Sequence, residues 1–156
     1  MPLFLSTYLN RIDKKGRVSV PAPFRAALIG QSFQGVVLFR SAKQPCLEGF
    51  DFGTMTEIAQ RLDHFDLFSD DQDDLAATIF GDSVQLPFDG EGRIVLADDL
   101  MGHAKIADTA AFVGMGRKFQ IWEPGALKAR RAQAASGIRE KKLTVPALLG
   151  TGGGDQ

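Results

Sequence analysis

Two stretches of this chain alternate apolar and polar residues with the two-residue period of a strand that buries one face. Val18 and Val20 alternate with Arg17 and Ser19, and Ile94 and Leu96 follow Arg93 at the same spacing. Just upstream of each lies a β-rich run, Tyr8 to Ile12 and Val84 to Phe88. Between run and alternation stand Asp13-Lys14-Lys15-Gly16-Arg17 and Asp89-Gly90-Glu91-Gly92-Arg93, 76 positions apart and identical at three of five residues. Aspartate suits the first position of a type I turn, and glycine three residues later accepts the left-handed conformation of a hairpin bulge. Each unit therefore reads strand, turn, strand, followed by a short helical turn at Pro21 to Leu28 and at Asp98 to Met101.

Two further strands are expected per copy. Gly35 to Phe39 aligns with Ala110 to Gly114, and Cys46 to Phe50 with Phe119 to Trp122. Thr54-Met55-Thr56-Glu57 reads as a capping box opening a helix with Met55, Ile58, Ala59 and Leu62 on its apolar stripe. A second helix is capped by Ser69, with Asp70 and Asp71 near the positive end of its dipole, and ends at Gly81. A third starts at Glu123-Pro124 and runs through Leu127, Lys128, Arg130 and Arg131. The expected organisation is a first repeat over 5–52, a helical segment over 53–81, a second repeat over 82–125, a C-terminal helical segment over 126–149 and a flexible tail over 150–156.

With 156 residues, 44% of them hydrophobic, the chain can bury a real core. The opening apolar run is too short for a signal peptide, no window approaches membrane-spanning length, and Cys46 alone can form no internal disulfide. These point to the cytoplasm. A net charge of -1 argues against a nucleic-acid partner, but its distribution reverses that. From Asn10 to Arg25 the cations are Arg11, Lys14, Lys15, Arg17 and Arg25 against Asp13 alone, whereas Glu48 to Asp74 holds nine acids against Arg61.

With Val18 and Val20 turned inward, Arg17 and Ser19 face outward beside Lys14 and Lys15, which makes the hairpin tip a cationic prong. The bland alternative for Arg17 and Arg93 is an ion pair with Asp13 and Asp89 that only steadies the turn. Gly16 and Gly92 serve the turn, and their amides also suit close approach to a phosphate. Arg11 and Arg25 flank the prong or merely solvate element ends. His64 with Asp66, Asp70 and Asp71 lacks a second His or Cys for a metal site, and His103 reads as a dipole partner at a helix end. No acid, base and nucleophile set invites catalysis. Neither a cofactor, a metal nor a small-molecule substrate is expected, and Phe24, Phe39, Phe112 and Phe119 belong to a core rather than a base-stacking platform.

The run from Asn10 to Pro21 closely resembles the N-terminal signature of the MraZ family, and Pro45-Cys46-Leu47, Asp89 to Arg93, and Lys118 to Trp122 resemble further segments of it, so the likeness covers roughly residues 4 to 140. The resemblance implies an α+β fold in which two pseudo-repeated AbrB-like β-hairpin half-barrels are fused into one β-barrel with peripheral helices. It also implies a ring-like homo-oligomer bound to repeated sites in double-stranded promoter DNA, associated with the nucleoid and repressing the division and cell-wall gene cluster. The DNA-binding residues would be Arg11, Lys14, Lys15, Gly16, Arg17, Gly90, Gly92 and Arg93, with Asp13 and Asp89 as structural turn residues. Ser6 departs from the glycine usual in the family, and Ala97 replaces the proline found at Pro21 in the first copy. The second turn lacks both lysines, so the first is expected to dominate binding. The alternative is a non-regulatory homo-oligomeric assembly protein that uses the hairpins as subunit contacts.

Overall fold

Strands form where the alternation runs, and helices where caps and helical spacing take over. The computed structural model describes residues 2–65, 69–146 and 148–149; the tail at 150–156 and Asp66 lie outside the described residues. In chain order the elements are β1 (Thr7–Arg11), β2 (Arg17–Ser19), α1 (Ala22–Ala27), β3 (Gly35–Arg40), β4 (Leu47–Phe50), α2 (Phe52–Leu62), α3 (Asp70–Ala76), a π-helical turn (Ala77–Gly81), β5 (Val84–Pro87), β6 (Arg93–Val95), α4 (Asp98–Ala104), β7 (Thr109–Gly114), β8 (Phe119–Trp122) and α5 (Pro124–Lys141). The chain divides into two units, Met1–Pro124 and Gly125–Gln156. The first carries both sheets, and the second is dominated by α5, a polar helix ending in Arg139 and Lys141. The class is α+β with antiparallel sheets.

A six-stranded sheet runs in the order β1-β7-β8-β4-β3-β5, and β2 with β6 forms a separate two-stranded ribbon. Partners are exchanged between the halves. The opening strand of the first half pairs with β7 of the second, setting Asn10 opposite Ala110, while the opening strand of the second half pairs with β3 of the first, setting Leu86 opposite Val36. The ribbon is centred on Val18 opposite Ile94, and its ends close reciprocally, with the Val20 amide donating to the Gly92 carbonyl and the Leu96 amide to the Gly16 carbonyl. Within the first half, β1 and β2 form no ladder: one isolated bridge joins Ile12, just past β1, to Val18, and Asn10 Nδ2 donates to the Ser19 carbonyl at 2.7 Å. The turn explains this, because a bulge with a left-handed glycine increases the local twist and ends pairing early. The return strands then find each other.

Two expectations from the sequence are corrected. The alignment of Gly35–Phe39 with Ala110–Gly114 is off by one: the equivalent pairings of Asn10 and Leu86 match Val36 with Ala110, 74 positions apart rather than 75. The connection into β7 is two residues shorter than that into β3, and alternation alone does not reveal such a deletion. The capping box at Thr54 and Glu57 does not form. Helix α2 starts earlier, at Phe52, and Asp51 caps it by accepting from the Thr54 amide at 3.1 Å. Thr54 is buried in the first turn, and Glu57 pairs with Arg117 instead. Ser69 caps α3 as expected, accepting from the Gln72 amide at 3.1 Å.

The main core lies beneath both sheets. Phe24 packs edge-on against Phe4, Tyr8 and Phe112 and tilts onto Phe119. Val18, Val20, Ile94 and Leu96 close that core from the ribbon side. Strand β3 is buried on both faces, so it reads Val-Val-Leu-Phe rather than alternating. Val36 and Leu38 enter the main core, while Val37 and Phe39 join Phe50 and Met55 in a second cluster that includes α2.

Candidate nucleic-acid interface

The two turns are built alike, and each aspartate does most of the building. Asp13 Oδ1 accepts from the amides of Lys15 and Arg17 at 2.9 Å each, and Oδ2 accepts from Arg17 Nε at 2.6 Å. Asp89 repeats this with the amides of Glu91 and Arg93 and with Arg93 Nε at 2.8 Å. Gly16 and Gly92 follow with φ of +81° and +77°, donating their amides to the Asp13 and Asp89 carbonyls. Arg17 is thus fixed through Nε alone by its own turn. Both Nη groups of Arg17 stay without a partner among the described residues, whereas Arg93 Nη2 also lies 3.6 Å from Glu91 Oε1.

Several donors hold the aspartates below the usual carboxylate range. For Asp13 the largest is the backbone amide of Arg17, aided by the Arg17 side chain and the Lys15 amide; for Asp89 it is the Arg93 amide, aided by that of Glu91. A depressed carboxylate stabilises the fold above its unfolded value near pH 4, and that contribution is lost as pH falls through the folded value. The wild-type chain should therefore exceed an Asp13→Asn, Asp89→Asn double variant in stability at pH 7, with the gap shrinking at pH 3. Denaturant unfolding at both pH values measures it, and an unchanged gap would remove the ionised turns from the account.

Pairing of β2 with β6 merges the two motifs on one surface. Val18 and Ile94 are each 1% exposed, while Arg17 stands opposite Val95 and Ser19 opposite Arg93 on the outward face. Arg11, Lys14, Arg17 and Arg93 line one shallow cleft beside Ser19 and Asp108. Lys15 and Gly16 border a neighbouring depression with Val95 and Met101. At Gly90 a side chain would meet nothing within 4 Å, so this residue lies open at the second turn. Four of the expected cations thus converge around one cleft, with Lys15 on the far side of the same turn.

The sequence left Arg25 open between flanking the prong and solvating an element end; the structure sets it beside the second turn. Its Nε donates to the Val20 carbonyl at 3.2 Å, and its guanidinium fills the space that a side chain at Gly92 would need. The turn without lysines therefore receives a cation from α1 of the other half. A signal existed: Arg25 corresponds to Met101 at the 76-residue offset, and Met101 lies beside the first turn as Arg25 does beside the second. No group of three metal-ligating side chains occurs among the described residues, and no described helix is long and apolar enough to cross a membrane. His103 sits in the last turn of α4, as expected, with Nε2 buried and unpaired.

The family model described as MraZ protein, antitoxin-like, matches residues 3–77 and 79–142. A protein of Gluconacetobacter diazotrophicus named transcriptional regulator MraZ is 46% identical over 94% of each chain. Proteins of the same name from Gluconobacter oxydans and Rickettsia bellii are 44% and 42% identical, over 98% of each chain and over 93% and 97%, respectively.

Proposed function

This chain belongs to the MraZ family, and from that membership we propose that it is a DNA-binding transcriptional regulator whose reading head is the outward face of the β2–β6 ribbon. The observation that carries this reading is the placement of Arg17 and Arg93 on one exposed two-stranded ribbon, flanked by Lys14 and Lys15 at one end and Arg25 at the other. A two-stranded ribbon fits the major groove of B-form DNA, where arginine pairs bidentately with guanine. Arg17 takes a guanine edge through its Nη groups. Lys14, Lys15 and Arg11 hold phosphates, Gly16 and Gly92 shape the two turns, and the open backbone at Gly90 permits close approach to the strand. Arg93 and Arg25 give the second turn a weaker grip.

The exchanged strands support a finer reading of the fold as two AbrB-like half-barrels interleaved into one barrel, over residues 5–52 and 82–125. The chain acts in the cytoplasm, on the nucleoid. One ribbon carries few base contacts, so specificity arises when a ring-like homo-oligomer engages several repeated sites at once and raises the effective concentration of each remaining contact. Bound over a promoter, such an assembly blocks polymerase and represses the division and cell-wall genes downstream. To test this, fragmented genomic DNA is passed over the full chain at physiological salt and the retained fragments are sequenced. A short motif recurring upstream of those genes is expected, and retention without any enriched sequence would overturn the reading.

A further inference from the structure

We propose that Val95 reads the 5-methyl group of a thymine lying beside the guanine taken by Arg17, an inference that rests on the regulator reading and assigns part of its specificity. On a ribbon with one face in the core, the outward positions belong to polar side chains. Arg17, Ser19 and Arg93 follow that rule; Val95 breaks it with 51% of its surface exposed, while its inward neighbour Ile94 is 1% exposed. Pairing does not demand a hydrocarbon there, because the corresponding residue of the first half is Ser19.

Position gives the exposed methyl groups a target. Val95 stands directly opposite Arg17, and its Cγ1 lies 3.7 Å from where a Cβ on Gly16 would sit, at the base of the lysine-bearing turn. Residues directly opposed across strands have Cβ atoms about 5 Å apart, so Arg17 and Val95 address the same or adjoining base pairs. Of all the groups displayed on base edges in the major groove, the thymine methyl is the apolar one. Val95 against that methyl removes hydrocarbon from water on both sides, whereas Ser19 beside Arg93 offers a hydrogen bond. The ribbon is symmetric in its arginines and unsymmetric in their neighbours.

The test uses the duplex recovered by selection, with each thymine in turn replaced by deoxyuridine, which removes the methyl and keeps every hydrogen-bonding group. Wild type and Val95→Ser are titrated onto each duplex by fluorescence anisotropy. One position is expected at which uracil weakens wild-type binding about fourfold, the effect of one buried methyl group, and leaves Val95→Ser unaffected. Sensitivity at no position, equal sensitivity in both proteins, or a selected site without thymine next to guanine overturns the assignment. If wild type still prefers the selected duplex over a scrambled one, the regulator reading survives that failure. Loss of the preference itself removes both. A change of assembly size in Val95→Ser without a change in uracil sensitivity would assign Val95 to a contact between copies.

Discussion

Arg17→Ala is expected to weaken binding to the selected duplex by about 1 to 3 kcal/mol, roughly five- to more than a hundredfold, while leaving binding to a scrambled duplex much less affected. The size follows from how the side chain is held. Its Nε is already committed to Asp13 at 2.6 Å, so the guanidinium plane is oriented before DNA arrives and little rotamer entropy remains to be lost. Arg93→Ala should cost less, because Arg93 must first give up its contact with Glu91. Protein stability should move little in either variant, since both ion pairs are partly solvated. Anisotropy titrations at one fixed salt concentration, beside thermal melts, measure all of this. Equal losses on both duplexes would reassign Arg17 to a phosphate, and unchanged affinity would contradict the reading head.

The largest effect on folding is expected from Gly16→Val, about 3 kcal/mol of stability. Gly16 holds φ at +81°, and a Cβ there would sit 2.7 Å from the Leu96 carbonyl oxygen, on backbone that cannot yield without breaking the ribbon. That backbone also carries the Leu96 amide to Gly16 carbonyl bond of 2.8 Å. Binding should fall with stability, because the same turn sets both Arg17 and the two lysines. Gly90→Ala supplies the contrast: with nothing within 4 Å and an ordinary φ, it should change stability by less than about 0.5 kcal/mol. Urea unfolding of the two variants decides between a turn position that requires glycine and one that tolerates a side chain.

Much of this was legible in the sequence because the motif is local. Asp13 to Arg17 specifies a turn through bonds spanning four residues, and its copy at Asp89 repeats the same chemistry, so turn, arginine and strand alternation could all be read together. The exchange of partners was not legible. Val18 would be buried equally well against a neighbour in its own hairpin or, as observed, opposite Ile94 of the other half, and alternation specifies a face rather than a partner. The slip at β7 has the same origin, since a two-residue shortening of a loop leaves no trace in an apolar run that is buried on both faces. At α2, two acceptors competed to cap one helix. Asp51 prevailed over Thr54 because Phe52 and Gly53 could join the helix ahead of it.

Ser6 shows the opposite case, a sequence departure whose meaning needed the backbone. It adopts φ of +74°, the left-handed region that glycine enters freely, while its carbonyl accepts from the Gly114 amide at 2.8 Å. The glycine that the family resemblance led one to expect at this position would meet without strain a conformation that Ser6 meets with it. Arg25 teaches a similar lesson, for its role depends on packing against a turn 67 residues away.

Methylation interference on the selected duplex tests the central claim most directly. A methyl group on guanine N7 occupies the major-groove edge that Arg17 is assigned to read. At one guanine of each site, that methyl should abolish wild-type binding yet cost Arg17→Ala almost nothing further. Binding that tolerates N7-methylated guanine but fails when adenine N3 in the minor groove is methylated would contradict the ribbon as the reading head.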